Sequence, residues 1–440
     1  MSEDFSLKTR ADNIRDVIRY IKRFDKALLV VKFDDKVIDS PLFFEHSRDL
    51  ALLANTGIKL ILIAGATNNI NKILESNGET WSFQGETRIT RKSAINLIKM
   101  AAFETASKLM NALSAEKITG VMGNWVSARE KGIINGIDFG SAGKIHKITA
   151  KDIYPVLEQG IVPVFPCIGW STNGTAYNVS SSELTLEISK SLKADKVFFI
   201  SIPKETEKQK LLQTLSIQGH TSVSAGHLEK LLERLPEPEK NGTFYKFLID
   251  ALETCKQGIK RVHLLDGTKE GVIPCEIFSE SGSGGFMVFG NNYGEFRQAV
   301  KEDVPALFSL MTPFVKEGIL LPRTQEQLEE NINNYTVFDV DGEIRASAAL
   351  INYPEQGLQE IAALAVEKKY RSLGTGNALV HHLIKKAKEA GAKGVFILTT
   401  QTTDWFSSLG FEGGSLDFLP EARRKLWTKE RNSKVMKIIF

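Results

Sequence analysis

Cysteine is scarce in this chain: only Cys167, Cys255 and Cys275 occur in 440 residues, far apart and odd in number. That pattern supports neither a disulfide framework nor a cysteine-built zinc site, and the three read as reduced thiols. Long apolar runs are missing too, since none reaches the ~18 residues that a membrane-spanning helix requires. Excess charge of one sign is also absent. The 56 basic and 53 acidic side chains leave a formal net charge of +3, with the two signs interspersed, so nucleic acid is not the expected partner. The first residues, Met-Ser-Glu-Asp-Phe, are acidic where a secretory signal is basic and then apolar, and a cytoplasmic protein is expected. No internal repeat or low-complexity tract is visible.

The composition that remains, 42% hydrophobic and 25% charged, is that of an ordinary globular protein, and the length exceeds the ~100–200 residues of one core. Two or three domains are therefore expected. Apolar strands over 27–32, 58–64, 161–168, 196–200 and 261–265 alternate with amphipathic helices over 41–56, 90–113, 181–192 and 244–257. That alternation predicts an α/β domain with a mainly parallel sheet. A further amphipathic segment, 10–24, precedes the first strand; its Ile14, Val17, Ile18 and Ile21 suit packing between subunits or on their own domain. The Gly/Ser/Asn-rich stretch SESGSGGFMVFGNNYG, 279–294, reads as a domain boundary. After it Asp303 is placed to cap a helix with Val304 and Pro305 in its first turn, opening an α+β domain. The expected parts are an N-terminal helix over 1–25, an α/β domain over 26–288 and the α+β domain over 289–440.

In that last part the apolar run 361–366 leads through Arg-Ser-Leu-Gly-Thr-Gly, 371–376, into a helix whose Leu379, Leu383, Ile384 and Ala387 share one face, with Gly391 as its stop. Gly374 and Gly376 let backbone approach a ligand, and the free amides of a helix N-terminus favour phosphate. A structural strand-to-helix turn also uses glycine, and spacing alone does not choose between the two. Near the C-terminus, LPEARRKLWTKERNSKV collects Arg423, Arg424, Lys425, Lys429, Arg431 and Lys434. It reads either as a solvated basic face or as a clamp for a dicarboxylate.

The order strand, Arg-x-x-Gly-x-Gly, helix, GVFILTT strand and DWFSSLGF resembles the Gcn5-related N-acetyltransferase fold. The resemblance implies that 371–376 hold the pyrophosphate of acetyl-CoA, with Leu364, Ala365, Val366, Arg371, Ser372, Leu373, Gly374, Thr375 and Gly376 as its binding residues. Trp405-Phe406 stands where many such enzymes carry a tyrosine that reprotonates the leaving thiolate, so a tyrosine acid is not expected. Further motifs, IAALAVEKKYR, LTTQTTDWF, LPEARRKLWTKERNSKV and VKEGILLPRTQEQLEENI, are similar to those of the bacterial N-acetylglutamate synthases. That family implies transfer of acetyl from acetyl-CoA, a cosubstrate with no permanently bound cofactor or metal, to L-glutamate. Arg323, Arg431, Ser433 and Lys434 are then the expected carboxylate binders, Glu360 the general base and Thr399 a hydroxyl near the reacting atoms. On its own, Glu360 reads as a strand-end surface charge. Amides near Leu364 are expected to polarise the thioester carbonyl.

The first domain resembles the amino acid kinase fold, a three-layer α/β architecture, with ILIAGATNNIN and YNVSSSELTLEISKSLKADKVFFI in the places of two kinase motifs. Asp34 and Asp35 stand where kinases carry Gly-Gly, and Ser182 where they carry an aspartate that organises lysines, while Lys246 matches a kinase lysine. Two carboxylates repel a triphosphate, so no kinase activity is expected. The family instead implies sensing of L-arginine, the pathway's end product, usually as an inhibitor, through Tyr20, Lys196, His263, Glu276, Ser279 and Gly282. His263 alone also suits a satisfied strand-end histidine. The family further implies a homo-oligomer, expected as a hexamer. Three alternatives stay open: acetyl transfer to another amine, a bifunctional synthase and kinase, and an arginine-binding assembly module without activity.

Overall fold

This computed structural model describes residues 24–440 apart from 86, 218–220, 279–283, 291–293, 341 and 372–373, and with them 11, 14, 15, 17, 18, 21 and 22. Tyr20, Ser279, Gly282, Ser372 and Leu373 lie outside the described residues. The chain divides into two compact units, Met1–Asn292 and Tyr293–Phe440.

The first unit is built on an eight-stranded sheet: β1 (Leu28–Phe33), β2 (Lys59–Ala64), β3 (Gly120–Val121), β4 (Val162–Phe165), β5 (Lys196–Ser201), β6 (Ser222–Ser224), β7 (Arg261–Asp266) and β8 (Phe286–Phe289). Their order is β6-β8-β7-β5-β1-β2-β4-β3, and β7/β8 is the antiparallel pair among otherwise parallel ones. Near-continuous apolar runs such as LLVVKF and KVFFIS suit strands covered on both faces. Alternate residues enter two separate cores. Val30, Ile61, Val197 and Phe199 pack on one side, Leu29, Val31, Leu62 and Phe198 on the other. Helices Ser181–Leu192 and Thr243–Lys256 cover the first face, Phe43–Asn55 and Ile95–Ala115 the second.

The single strand expected over 161–168 is in fact two. Val162–Phe165 belongs to the large sheet, and Ile168–Trp170 to a separate four-stranded one with Ala176–Asn178, Val126–Glu130 and Gly143–Ile148. Pro166 has no amide for the ladder, and its carbonyl accepts from the Ile168 amide at 2.8 Å, which turns the chain between the sheets. In the N-terminal segment Ile21 packs on its own domain's core, while Ile14, Val17 and Ile18 are exposed.

The second unit holds β9 (Glu295–Gln298), β10 (Tyr335–Val340), β11 (Glu343–Tyr353), β12 (Leu358–Val366), β13 (Gly394–Thr399), β14 (Glu412–Gly414) and β15 (Lys434–Ile439), in the order β9-β10-β11-β12-β13-β15-β14. The β12/β13 pair is parallel and the others antiparallel. Between β12 and β13 runs the helix Thr375–Glu389, which buries Leu379, Val380, Leu383 and Ala387. Asp303 does not cap the following helix as expected. Its carboxylate accepts from the Val300 amide at 2.8 Å and pairs with Arg297 instead, which fixes the preceding turn.

Candidate active site

Strands β12 and β13 pair only where Leu358, Gln359 and Glu360 face Gly394, Val395 and Phe396, and from there the two part. The rest of β12, from Ile361 to Val366, keeps its ladder with β11 and leaves its other edge open. On that open stretch the register to β11 slips by one residue, and Ala363 has φ +54°. A non-glycine residue in the left-handed region marks a bulge, which re-aims neighbouring peptide groups. Leu364 follows it directly. Thr399 ends β13 on the opposite lip, and its hydroxyl shares a hydrogen bond with that of Thr402 at 2.9 Å.

At the C-terminal end of β12 the chain enters the glycine turn. Gly374 has φ +74° and precedes the helix Thr375–Glu389, a backbone state that favours glycine. Residues 375–377 form the first turn of that helix, where backbone amides favour an anion. At Gly376 a Cβ would lie 3.3 Å from the Trp405 ring, whose Nε1 donates to Asn377 Oδ1 at 2.9 Å. Trp405 thus lies against the helix's first turn. Arg371 donates from Nε to the Val366 carbonyl at 3.0 Å and sets its guanidinium over Phe314, tying strand end to turn.

Glu360 sits where the strands part and is buried rather than a surface charge, with its side chain 4% exposed. Arg423 Nε donates to both carboxylate oxygens, at 3.0 and 2.8 Å, and the Tyr353 hydroxyl donates to one at 3.1 Å. Burial, then the neighbouring Glu360 charge, pushes the Tyr353 phenol well above its ordinary value, so it remains a donor at neutral pH. Arg323 and Arg431 both reach the segment between the two helices that precede β10. Arg323 donates to the Leu321 carbonyl at 3.0 Å and Arg431 to that of Ile319 at 2.7 Å. Ser433 is buried, and the exposed Lys434 faces Thr399 across the β13/β15 pair.

In the first unit the kinase-like positions form a cluster at the end of β1. Lys32 Nζ donates to Ser182 Oγ at 3.1 Å and lies 4.0 Å from Asp34. Burial raises the carboxyl pKa of Asp34 and, against Lys32, that of Asp250, to which Ser182 also donates; burial, then Lys32, lowers the ammonium pKa of Lys246. Asp35 accepts from the amides of Asn68 and Asn69 at 2.5 and 3.0 Å, so its carboxylate occupies the N-terminus of the helix Thr67–Ser76. The sequence reading missed Asp250. It lies one turn beyond Lys246 on the same helix and supplies an acid beside Ser182.

Lys196, His263 and Glu276 also converge. His263 Nδ1 is 2.7 Å from Glu276 Oε1, the Phe198 ring packs edge-on against the imidazole, and Lys196 Nζ lies 3.8 Å from the centre of the Phe24 ring. Burial lowers the His263 pKa despite Glu276, and the imidazole is neutral at pH 7. A carboxylate only accepts, so Nδ1 carries the proton and Nε2 presents a lone pair. Among the described residues nothing bonds to that buried Nε2.

Comparison with known proteins defines the class first. Residues 303–411 match the Acetyltransferase (GNAT) family, and residues 27–202 the Amino acid kinase family. The chain belongs to the amino-acid acetyltransferase family. It is 31% identical over 422 residues to the amino-acid acetyltransferase of Mannheimia succiniciproducens, covering 95% of each chain. To the enzyme of Vibrio cholerae it is 30% identical over 431 residues, again with 95% coverage of each. Two solved structures are similar along nearly the whole length, 98% of this chain and 99% of theirs. N-acetylglutamate synthase from Neisseria gonorrhoeae complexed with coenzyme A and L-arginine is 26% identical, with a TM-score of 0.74. The same synthase complexed with coenzyme A and N-acetyl-glutamate is 28% identical, with a TM-score of 0.59.

Proposed function

We propose that this enzyme transfers acetyl from acetyl-CoA to the α-amine of L-glutamate, the first step of arginine biosynthesis, with L-arginine as inhibitor. The observation that carries the reading is the parted β12/β13 pair with buried Glu360 at its vertex, in a chain matched over 95% of its length by an amino-acid acetyltransferase. Residues 371–376 hold the pyrophosphate, and the Leu364 amide, next to the bulge, polarises the thioester carbonyl. Glutamate's α-ammonium gives a proton to Glu360, directly or through one water. Its nitrogen then bonds the carbonyl carbon while the oxygen gains charge; the C–S bond breaks and the thiolate takes up a proton. Thr399 is positioned to assist on the β13 side. Arg323, Arg431, Ser433 and Lys434 bind substrate carboxylate.

In the first unit Asp35 already fills the helix N-terminus that a phosphate would use, and Asp34 and Asp250 balance Lys32 and Lys246. Incubation with ATP and N-acetylglutamate is expected to give no acylphosphate; hydroxamate formation above background would restore the bifunctional reading. Arginine is bound instead at Lys196, His263 and Glu276, with Tyr20, Ser279 and Gly282 completing the site. The exposed Ile14, Val17 and Ile18 support a homo-oligomer, expected as a hexamer in the cytoplasm; its mass in solution tests the assembly.

Release of free CoA from acetyl-CoA, titrated with L-glutamate with and without L-arginine, tests the whole reading. Glutamate-dependent release suppressed by arginine is expected; release only with another amine would replace the substrate. Substituting Gly374 with valine forces a branched side chain to φ +74° and should raise the Kd for CoA about 10-fold or more, at ~1–2 kcal/mol of strain. Unchanged affinity would make the turn merely structural. The arginine response also has a pH sign. His263 is held below its ordinary 6.5, so the response is constant above that value and fades as pH falls through the folded-state pKa, where imidazolium joins Lys196 and Arg261 in repelling a guanidinium.

A further inference from the structure

Among the residues of the basic C-terminal run, Arg423 is set apart by its surroundings. Its neighbour Arg424 pairs loosely with exposed Asp417, and Lys425 pairs with exposed Glu421; both belong to a solvated surface. The Arg423 side chain is only 16% exposed and spends Nε alone on Glu360. Among the described residues no hydrogen bond reaches its Nη1 or Nη2. A guanidinium has five N–H donors in a rigid fork, and its terminal pair fits a second carboxylate.

We propose that Arg423 is a positioning and specificity residue that couples the acceptor's carboxylate to the base: Nε orients Glu360, and the terminal nitrogens receive a carboxylate of the incoming amino acid. The inference rests on the acetyltransfer reading above and adds a residue to its substrate side. Its logic is geometric. One guanidinium spans the two groups that must meet, holding the Glu360 carboxylate by Nε and an acceptor carboxylate by its terminal fork. Deprotonation of the amine is thereby reserved for acceptors that carry a carboxylate in the right place. Tyr353 keeps its hydrogen bond to Glu360 throughout and holds the carboxylate in plane with the fork.

The test compares wild type with Arg423→Gln and Arg423→Lys in steady-state assays with L-glutamate and with amine acceptors that lack one of its two carboxylates. CoA binding by calorimetry serves as the folding control. For Arg423→Gln, KM for glutamate should rise about 10- to 100-fold, the loss typical of charge-assisted contacts, with CoA affinity unchanged. Preference in kcat/KM for glutamate over an acceptor lacking the matching carboxylate should fall by a similar factor. Arg423→Lys should restore neither in full, because an ammonium supplies charge without the fork. An unchanged glutamate KM, an unchanged acceptor preference, or equal loss of CoA binding would each overturn the proposal. Wild-type enzyme that ignores glutamate but uses another amine would instead overturn the substrate reading, and the same variants would then be measured with that amine.

Discussion

Turnover of the Glu360→Gln variant is expected to fall about 10²- to 10⁴-fold, the usual contribution of a positioned base, with acetyl-CoA affinity at its wild-type level. The substitution changes almost nothing but basicity. Glutamine has the same shape, its carbonyl still accepts from Tyr353 and Arg423, and it lies outside the 371–376 turn and the bulge that bind the cosubstrate. A neutral partner leaves Arg423 less compensated, yet that side chain keeps some contact with water, so the fold should survive. Single-turnover acetyl transfer and calorimetric CoA binding separate the two quantities. Raising the pH should recover part of the loss, as hydroxide and free amine replace the missing base. A rate equal to wild type would remove Glu360 from the chemistry and leave its burial beside Arg423 as a structural ion pair.

Much of the architecture was legible because its physics is local. Strands buried on both faces need uninterrupted Val, Ile, Leu and Phe, and LLVVKF, KLILIA and KVFFIS provide them. The turn at Gly374 was visible because a left-handed residue there calls for glycine. The bulge beside Leu364 was hidden for the opposite reason: Ala363 takes up φ +54° inside a run of small apolar residues that carries no turn signal. Pairings across long separations were equally hidden. Arg423 reaches Glu360 across 63 residues and sits between other cations, so spacing gave no reason to single it out. Ser182 read as a lost acid because Asp250, which restores one, comes from a different helix. Local pattern therefore located both units and the cosubstrate turn, while the partners that set charge at each site come from tertiary folding.

The second large effect expected is loss of the arginine response in Glu276→Gln with full basal activity. Glutamine keeps the geometry, since its carbonyl still accepts from His263 Nδ1, but it removes the negative charge from a side-chain pair that is 6% and 10% exposed. A guanidinium brought into such a site meets Lys196 and neutral His263, and Glu276 is the anion that makes its charge tolerable there. Truncating one partner of a buried charge pair costs ~2–5 kcal/mol, which shifts the half-effective arginine concentration upward about 30-fold or more. Basal turnover is expected to hold because Glu360, Arg423 and the 371–376 turn all belong to the other compact unit. Rates measured across an arginine titration decide the matter. A variant still controlled at wild-type concentrations would move the sensor away from His263 and Glu276, whereas one that loses basal rate and arginine control together would make the pair a structural support. Full rate without control is the outcome that assigns Glu276 to the effector alone, and it would also show that the catalytic unit needs no ligand in the kinase-like fold to work.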